Sequence, residues 1–161
     1  MDATIRNGQR DFDFVFGEWK VRHRRLRHPL RGQDDWYEFE GTSKQTPLWG
    51  GQGNVEEAVA ESALARIEGV AVRFYDAPSG QWSIYWGTPA GGLATTPNVG
   101  AFNDRGVGEF FAHEVFEDKP ILSRYRWTPI DVDHCRWEQH FSADDGVTWE
   151  LNWVMEFTRT A

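Results

Sequence analysis

The carboxyl-terminal stretch from Trp149 to Thr158 alternates almost without fault, and it limits the fold more than any other part of the chain. Trp149, Leu151, Trp153, Met155 and Phe157 fall on one face, Glu150, Asn152, Glu156 and Thr158 on the other, and only Val154 breaks the order. A period of two belongs to a strand with one face on a core and one on water, because successive side chains leave a pleated backbone on opposite sides. The pattern recurs upstream. Ile121, Ser123, Tyr125 and Trp127 share a face, as do Cys135, Trp137, Gln139 and Phe141.

Earlier segments extend the series. Val70 to Tyr75 and Gln81 to Trp86 flank Asp76-Ala77-Pro78-Ser79-Gly80, a hairpin turn in its chemistry, and this predicts Val70, Val72 and Phe74 packed inside against Trp82, Ile84 and Trp86. Asp35 to Gly41 is a strand with Tyr37 and Phe39 on one face; the Gly-rich segment from Thr42 to Asn54 is expected to be irregular. Val55 to Ala63 reads as a weaker strand whose Glu-Ala composition also suits a helix, and Gly87 to Gly100 as a long loop crossing a barrel end or covering it. Residues 107–116 could bury either Val107, Phe111 and Val115, with Glu109 and His113 beside them, or Phe110, Ala112 and Phe116.

About ten short strands at intervals of about 8 to 12 residues, with turn chemistry between them, point to an all-β antiparallel fold. Closing such a meander removes its unpaired edges. The expected architecture is therefore one domain over residues 1–161: a closed antiparallel up-and-down β-barrel of about eight to ten strands, with a short amino-terminal lead-in closing one end.

Composition and charge narrow the partners. Asp and Glu number 25 against 17 Lys and Arg, a net charge of −8, so neither nucleic acid nor an anionic membrane is an expected partner. The charge is uneven: Lys20, Arg22, Arg24, Arg25, Arg27 and Arg31 form a run with no acid among them, a solvated strand face or an anion-binding rim. Cys135 stands alone, which excludes an internal disulfide and a cysteine zinc cluster and suits a reducing compartment. The amino-terminal MDATIRNGQRDFDF has no basic-then-apolar leader, and no apolar run approaches the ~20 residues of a membrane span. A cytoplasmic protein is expected.

Gly17-Glu18-Trp19, after the aromatic lead-in Phe12-Asp13-Phe14, resembles the Gly-x-Trp signature on the first strand of calycins, the superfamily of lipocalins and fatty-acid-binding proteins. With Gly80-Gln81-Trp82 and the Trp-rich carboxyl-terminal strands, the whole chain also resembles a family of uncharacterised bacterial calycin-like barrels. The resemblance implies a ligand-binding barrel and a basic residue on the last strand that packs over the signature Trp; Arg159 has the inward parity to be that residue. Secreted transport, as in lipocalins with leaders and disulfides, does not carry over. Ser142-Ala143-Asp144-Asp145-Gly146-Val147-Thr148-Trp149 is similar to the Asp-box of sialidases and other propellers, where it is a hairpin-turn device away from the catalytic centre.

Chemical motifs are sparse. His134 and His140 share a face but lie about 20 Å apart along one strand, and no His-x-His, Cys-x-x-Cys or His-Glu-x-x-His occurs, so no metal site is expected. Glu109 and His113, about 13 Å apart, cannot form a dyad. Gly50-Gly51-Gln52-Gly53 lacks the strand and helix of a phosphate loop, and no Gly-x-Ser-x-Gly elbow is present. No cofactor is expected and no catalytic residue is assigned.

What remains is the inward set. His23, Arg25, Tyr37, Trp86, His113, Ser123, Tyr125, Trp127, Trp137, Gln139 and Trp153 are the expected ligand-binding residues of a lumen that takes a small apolar or aromatic molecule, with a carboxylate or hydroxyl addressed by His23, Arg25, Tyr125 or Gln139. The rival readings are a cofactor-independent isomerase, cyclase or hydrolase using His23 or His113, a haem-binding barrel through the same histidines, and a homodimer contact through Trp36, Tyr75 or Tyr85.

Overall fold

The computed structural model describes residues 6–64 and 66–161. Residues 1–5, which open the amino-terminal segment MDATIRNGQRDFDF, lie outside the described residues. The described chain is almost entirely strand: β1 (Gly17–Leu26), β2 (Trp36–Leu48), β3 (Gly53–Glu61), β4 (Arg66–Asp76), β5 (Gln81–Thr88), β6 (Gly92–Leu93), β7 (Asn98–Phe102), β8 (Gly108–Phe116), β9 (Lys119–Asp131), β10 (His134–Ser142) and β11 (Glu150–Arg159). Each strand pairs antiparallel with its neighbour in sequence, except that β7 passes the two-residue β6 to reach β5. β1 pairs with β11 and β4 with β5, so ten strands close into a barrel and β6 hangs from the edge of β5. Among the described residues no helix is long and apolar enough to cross a membrane.

β1, β3, β5, β8 and β10 run away from one barrel end, here the base, and their partners run back to it. The lead-in plugs that base. A single 3₁₀ turn at Asp13–Val15 tucks Phe12 into the barrel, edge-on to Trp82 and Phe102 with ring centroids 4.9 and 4.8 Å away. Its backbone is tied down at both sides: Trp82 Nε1 donates to the Gly8 carbonyl at 3.1 Å, Gly8 N–H to Tyr75 Oη at 2.8 Å, and Trp19 Nε1 to the Val15 carbonyl at 2.7 Å. Phe12, Val15 and Trp19 are consequently all buried.

The Gly17 position has a local cause. Its φ is +132°, and a Cβ there would sit 2.5 Å from both the Ala161 carbonyl oxygen and an Arg159 guanidinium nitrogen. Only glycine allows β1 to start so close to the Ala161 backbone and the Arg159 guanidinium. Arg159 does lie over Trp19, as its parity suggested, with the guanidinium carbon 4.1 Å from the ring centroid.

Some expectations change in the structure. β2 continues unbroken to Leu48, through the first part of the segment expected to be irregular, and the strand expected over Val55 to Ala63 forms as β3, Gly53–Glu61. In β4 the inward residues are Ala71, Arg73 and Tyr75, not Val70, Val72 and Phe74, because the hairpin pairs Ala71 with Trp86, Arg73 with Ile84 and Tyr75 with Trp82. Directly paired residues share a face, so an inward Trp82, Ile84 and Trp86 bring those three inside. Tyr75 is therefore buried, and it leaves the set of outer aromatic contacts.

β8 takes the second of its two parities, with Phe110 and Ala112 buried and His113 exposed. In β11 a bulge opposite Gln139 and His140 skips Asn152, so that Trp153 pairs with Gln139 and Leu151 with His140. One extra residue resets the alternation. Asn152 becomes buried, and Trp149 leaves the interior to lie on the outer face beneath Arg124, 4.3 Å from its ring centroid, and near Phe111.

Candidate functional site

The barrel keeps a cavity of about 310 Å³ above the plugged base. Its walls come from strands on every side: His23 and Arg25 from β1, Trp86 from β5, Tyr125 and Trp127 from β9, Trp137 and Gln139 from β10, and Trp153 and Met155 from β11. Two of the tryptophans hold each other by an edge contact. Trp137 and Trp153 stand at 88° with centroids 5.4 Å apart, and Tyr125 packs on Trp137 at 5.1 Å. Edge-to-face pairs of this kind are favoured by the ring quadrupoles, by about 0.5 to 1.5 kcal/mol beyond the area they bury.

Eight of the expected ligand-binding residues thus converge on one lumen: His23, Arg25, Trp86, Tyr125, Trp127, Trp137, Gln139 and Trp153. Three do not. Tyr37, outside the cavity lining, stacks on Phe39 at 5.4 Å with Arg27 over its ring. Ser123 is wholly buried but committed to structure, accepting from Asn98 Nδ2 at 3.0 Å. His113 points outward, so it serves neither a lumen acid–base role nor a haem.

The cavity's polar groups are specific. His23 is 3% exposed, stacks on Phe39 at 4.4 Å, and its Nδ1 accepts from Trp153 Nε1 at 3.1 Å. That bond assigns the ring proton to Nε2. Burial, helped by the charge of Arg25, pushes the imidazole down to about 4, so it is neutral across the physiological range. Arg25 lies over the Trp153 ring at 4.2 Å, toward the mouth. Burial and the nearby Glu114 raise the Tyr125 phenol, which stays protonated as a donor. Gln139 Nε2 donates to Asn152 Oδ1 at 3.0 Å, a contact made by the bulge.

The floor holds what sequence reading missed. Arg73, 1% exposed, reaches in from β4 and donates through Nη2 to Glu56 and through Nη1 to Gln45 Oε1 and Asn54 Oδ1, at 2.8 and 2.9 Å. Glu56, itself 4% exposed, takes a second bond from Ser43 Oγ at 2.9 Å. Both charged side chains line the cavity. Burial works against the Arg73 charge and Glu56 opposes that loss. The signal was available in the sequence: Arg73 sits in Val-Ala-Val-Arg-Phe-Tyr, a cation among apolar residues, and Glu56 shares its parity with Ala58 and Ala60.

The mouth lies between the β1–β2 loop and the β8–β9 turn. Arg31 bridges to Glu117 at 2.6 Å across it, and the Leu30 N–H donates to the Glu150 carboxylate at 2.9 and 3.0 Å. Leu30 holds a left-handed φ of 63° to make that contact. Phe116 and Phe141, 5.2 Å apart, form the apolar lip.

The Asp-box turn is a closed hydrogen-bond device outside the lumen. Asp144 accepts from Ser142 Oγ, Thr148 N and Thr148 Oγ1 at 2.7, 2.8 and 2.6 Å, and Thr148 chiefly holds its carboxyl down to about 2. Among the described residues no three His, Cys, Asp or Glu side chains gather as metal ligands.

Neither a protein-family model nor a curated protein matches this chain. The fold and the lumen chemistry are therefore the ground for function.

Proposed function

We propose that the protein binds a small, mainly aromatic or apolar molecule within its barrel. The observation that carries this reading is the cavity of about 310 Å³ walled by Trp86, Trp127, Trp137 and Trp153, with His23, Tyr125, Gln139 and the Arg73–Glu56 pair supplying polar contacts. Apolar walls with a few convergent polar groups are the general form of a small-molecule site, and this volume stands at the lower end of the usual range, about 300 to 1,000 Å³. A ligand of one or two rings fits. A four-pyrrole macrocycle needs more room, and haem is not part of the proposal.

Calycin kinship is part of this proposal, supported by Gly17, by Trp19 beneath Arg159, and by the closed meander. So is a cytoplasmic setting, which the lone buried thiol of Cys135 suits. The acid–base reading requires a carboxylate, Tyr or second His against His23; its described ring contacts are Phe39, Trp153 and the repelling Arg25. Binding is favoured over catalysis on that ground.

The test is native mass spectrometry of freshly purified protein, followed by a panel of one- and two-ring compounds titrated against tryptophan fluorescence. Retained mass or saturable quenching at micromolar concentration is expected. A crystal structure with the lumen filled by side chains, together with no quenching across the panel, would sink the proposal.

A further inference from the structure

Building on lumen binding, we infer that the deep end of the ligand is an uncharged hydrogen-bond acceptor, a carbonyl or ether-type oxygen, received by the Nε–H of Arg73. The argument starts from the guanidinium's surroundings. The guanidinium carbon lies 5.0 and 5.2 Å from the centroids of the Phe12 and Trp127 rings, which stand side by side with centroids 6.2 Å apart. The N–H donors lie in the guanidinium plane and bond along its edges. Nη1 is spent on Gln45 and Asn54 and Nη2 reaches Glu56, while Nε–H, fully buried, has no acceptor among the described residues. A buried charged donor without a partner is costly, and such sites in native proteins call for water, an ion or a ligand.

The neighbouring groups settle which chemistry fits. Gln45 Nε2 and Asn54 Nδ2 also lack acceptors, because both amides turn their oxygens to Arg73. Gln45 and Asn54 do not line the cavity, and the two Glu56 oxygens are each already bonded, to Ser43 and to Arg73, so the unmet group at the floor is a donor. Charge decides the rest. Glu56 already cancels Arg73, and the other cavity charges, Arg25 and Glu114, are one of each sign nearer the mouth. A carboxylate at the floor would bring an uncompensated negative charge beside Glu56 in a medium of low dielectric. A neutral oxygen satisfies Nε–H without that penalty, and Trp127 and Ile84 beside it accommodate an apolar body.

Three probes of nearly one shape separate the possibilities: naphthalene, 2-acetylnaphthalene and 2-naphthoate, titrated calorimetrically against the whole protein. The ketone should bind about tenfold or more tightly than both others, the worth of one buried hydrogen bond to a charged donor. In the double variant Arg73→Met with Glu56→Gln, which removes the pair without stranding a charge, the advantage of the ketone over naphthalene should vanish. If the double variant does not fold, the order of the three probes on the native protein decides alone. Tightest binding by naphthoate, or a ketone no better than naphthalene, would overturn the inference and leave lumen binding standing. So would a crystal structure of the ketone complex with an ordered water only at Nε. No binding by any of the three, nor by benzene, acetophenone or benzoate, would remove the lumen reading itself and this inference with it.

Discussion

The guanidinium of Arg159 lies 4.1 Å from the centre of the Trp19 ring, and from that position it also ties three backbone carbonyls together. Nη1 donates to Phe16, Nη2 to Phe14 at 3.1 Å and Nε to Val132 at 2.9 Å. One side chain on the last strand thereby fastens the lead-in, the first strand and the β9–β10 turn. Replacing Arg159 by Met keeps the stem but removes the cation–π contact and all three bonds. The expected loss is about 2 to 4 kcal/mol of stability, read as a lower urea midpoint at unchanged slope. Lys should recover little of it, since a single ammonium cannot span the three acceptors.

Stability should fall in mild acid through His23. Its folded pKa is about 4 against an ordinary 6.5, so the unfolded chain takes up a proton at higher pH than the native one does. Above pH 6.5 both states are neutral there and the residue adds no pH dependence. Between 6.5 and about 4 the unfolded state binds more protons and stability declines as pH drops, by on the order of 3 kcal/mol in full for this residue. His140, held down to about 4 chiefly by burial, acts in the same direction. His23→Asn places an amide oxygen where Nδ1 accepts from Trp153 and cannot take up the proton. Urea midpoints from pH 4 to 7 should show a shallower decline in that variant; an identical slope would count against the assignment.

The Arg73–Glu56 pair should show strong coupling. Glu56→Gln alone strands a buried guanidinium and is expected to cost about 3 to 5 kcal/mol, as is Arg73→Met, which strands the carboxylate. The double replacement should cost far less than their sum. A double-mutant cycle in urea measures this directly, and additive losses would show that the two side chains do not act as a unit.

Trp86 lies against Gly69, where an added Cβ would meet its ring at 2.5 Å and the Gly87 carbonyl at 2.7 Å. Gly69→Ala must push the indole off the wall, at about 1 to 3 kcal/mol for overpacking. Altered near-ultraviolet circular dichroism together with a lower urea midpoint is the expected result.

At the mouth, Glu150→Ala frees the Leu30 amide from its only described acceptor. Amide exchange at Leu30 and Arg31 should speed up by about tenfold or more, while amides in β9 and β10 stay protected. The exposed Arg31–Glu117 bridge, with both side chains about half exposed, should matter much less.

Several of these sites were visible in the chain itself. The alternation in β9, β10 and the second half of β11 marked Tyr125, Trp127, Trp137, Gln139 and Trp153 as one inner surface, and Gly17, Trp19 and Arg159 marked a closed end. Those readings needed only that neighbouring side chains on a strand point to opposite sides and that apolar ones point in. The antiparallel, all-β character followed from the same pattern repeated between turn residues.

Other features waited for the tertiary structure. Val70, Val72 and Phe74 look like an inner face by composition, yet the pairing of Arg73 with Ile84 puts them outside. His113 lost its place in the lumen when β8 took the register that buries Phe110. Trp149 was carried outward by one bulge residue opposite Gln139. A period of two tells which residues share a face but not which face is inner, and a shift of one residue exchanges the two along a whole strand. Partners decide that choice, and they come from elsewhere in the chain. Arg73 can be buried only because Gln45 on β2 and Asn54 and Glu56 on β3 meet it there. The sequence by itself determined a closed barrel of alternating strands with an aromatic interior; the cross-strand register, and with it the charged floor of the cavity, was decided by tertiary pairing.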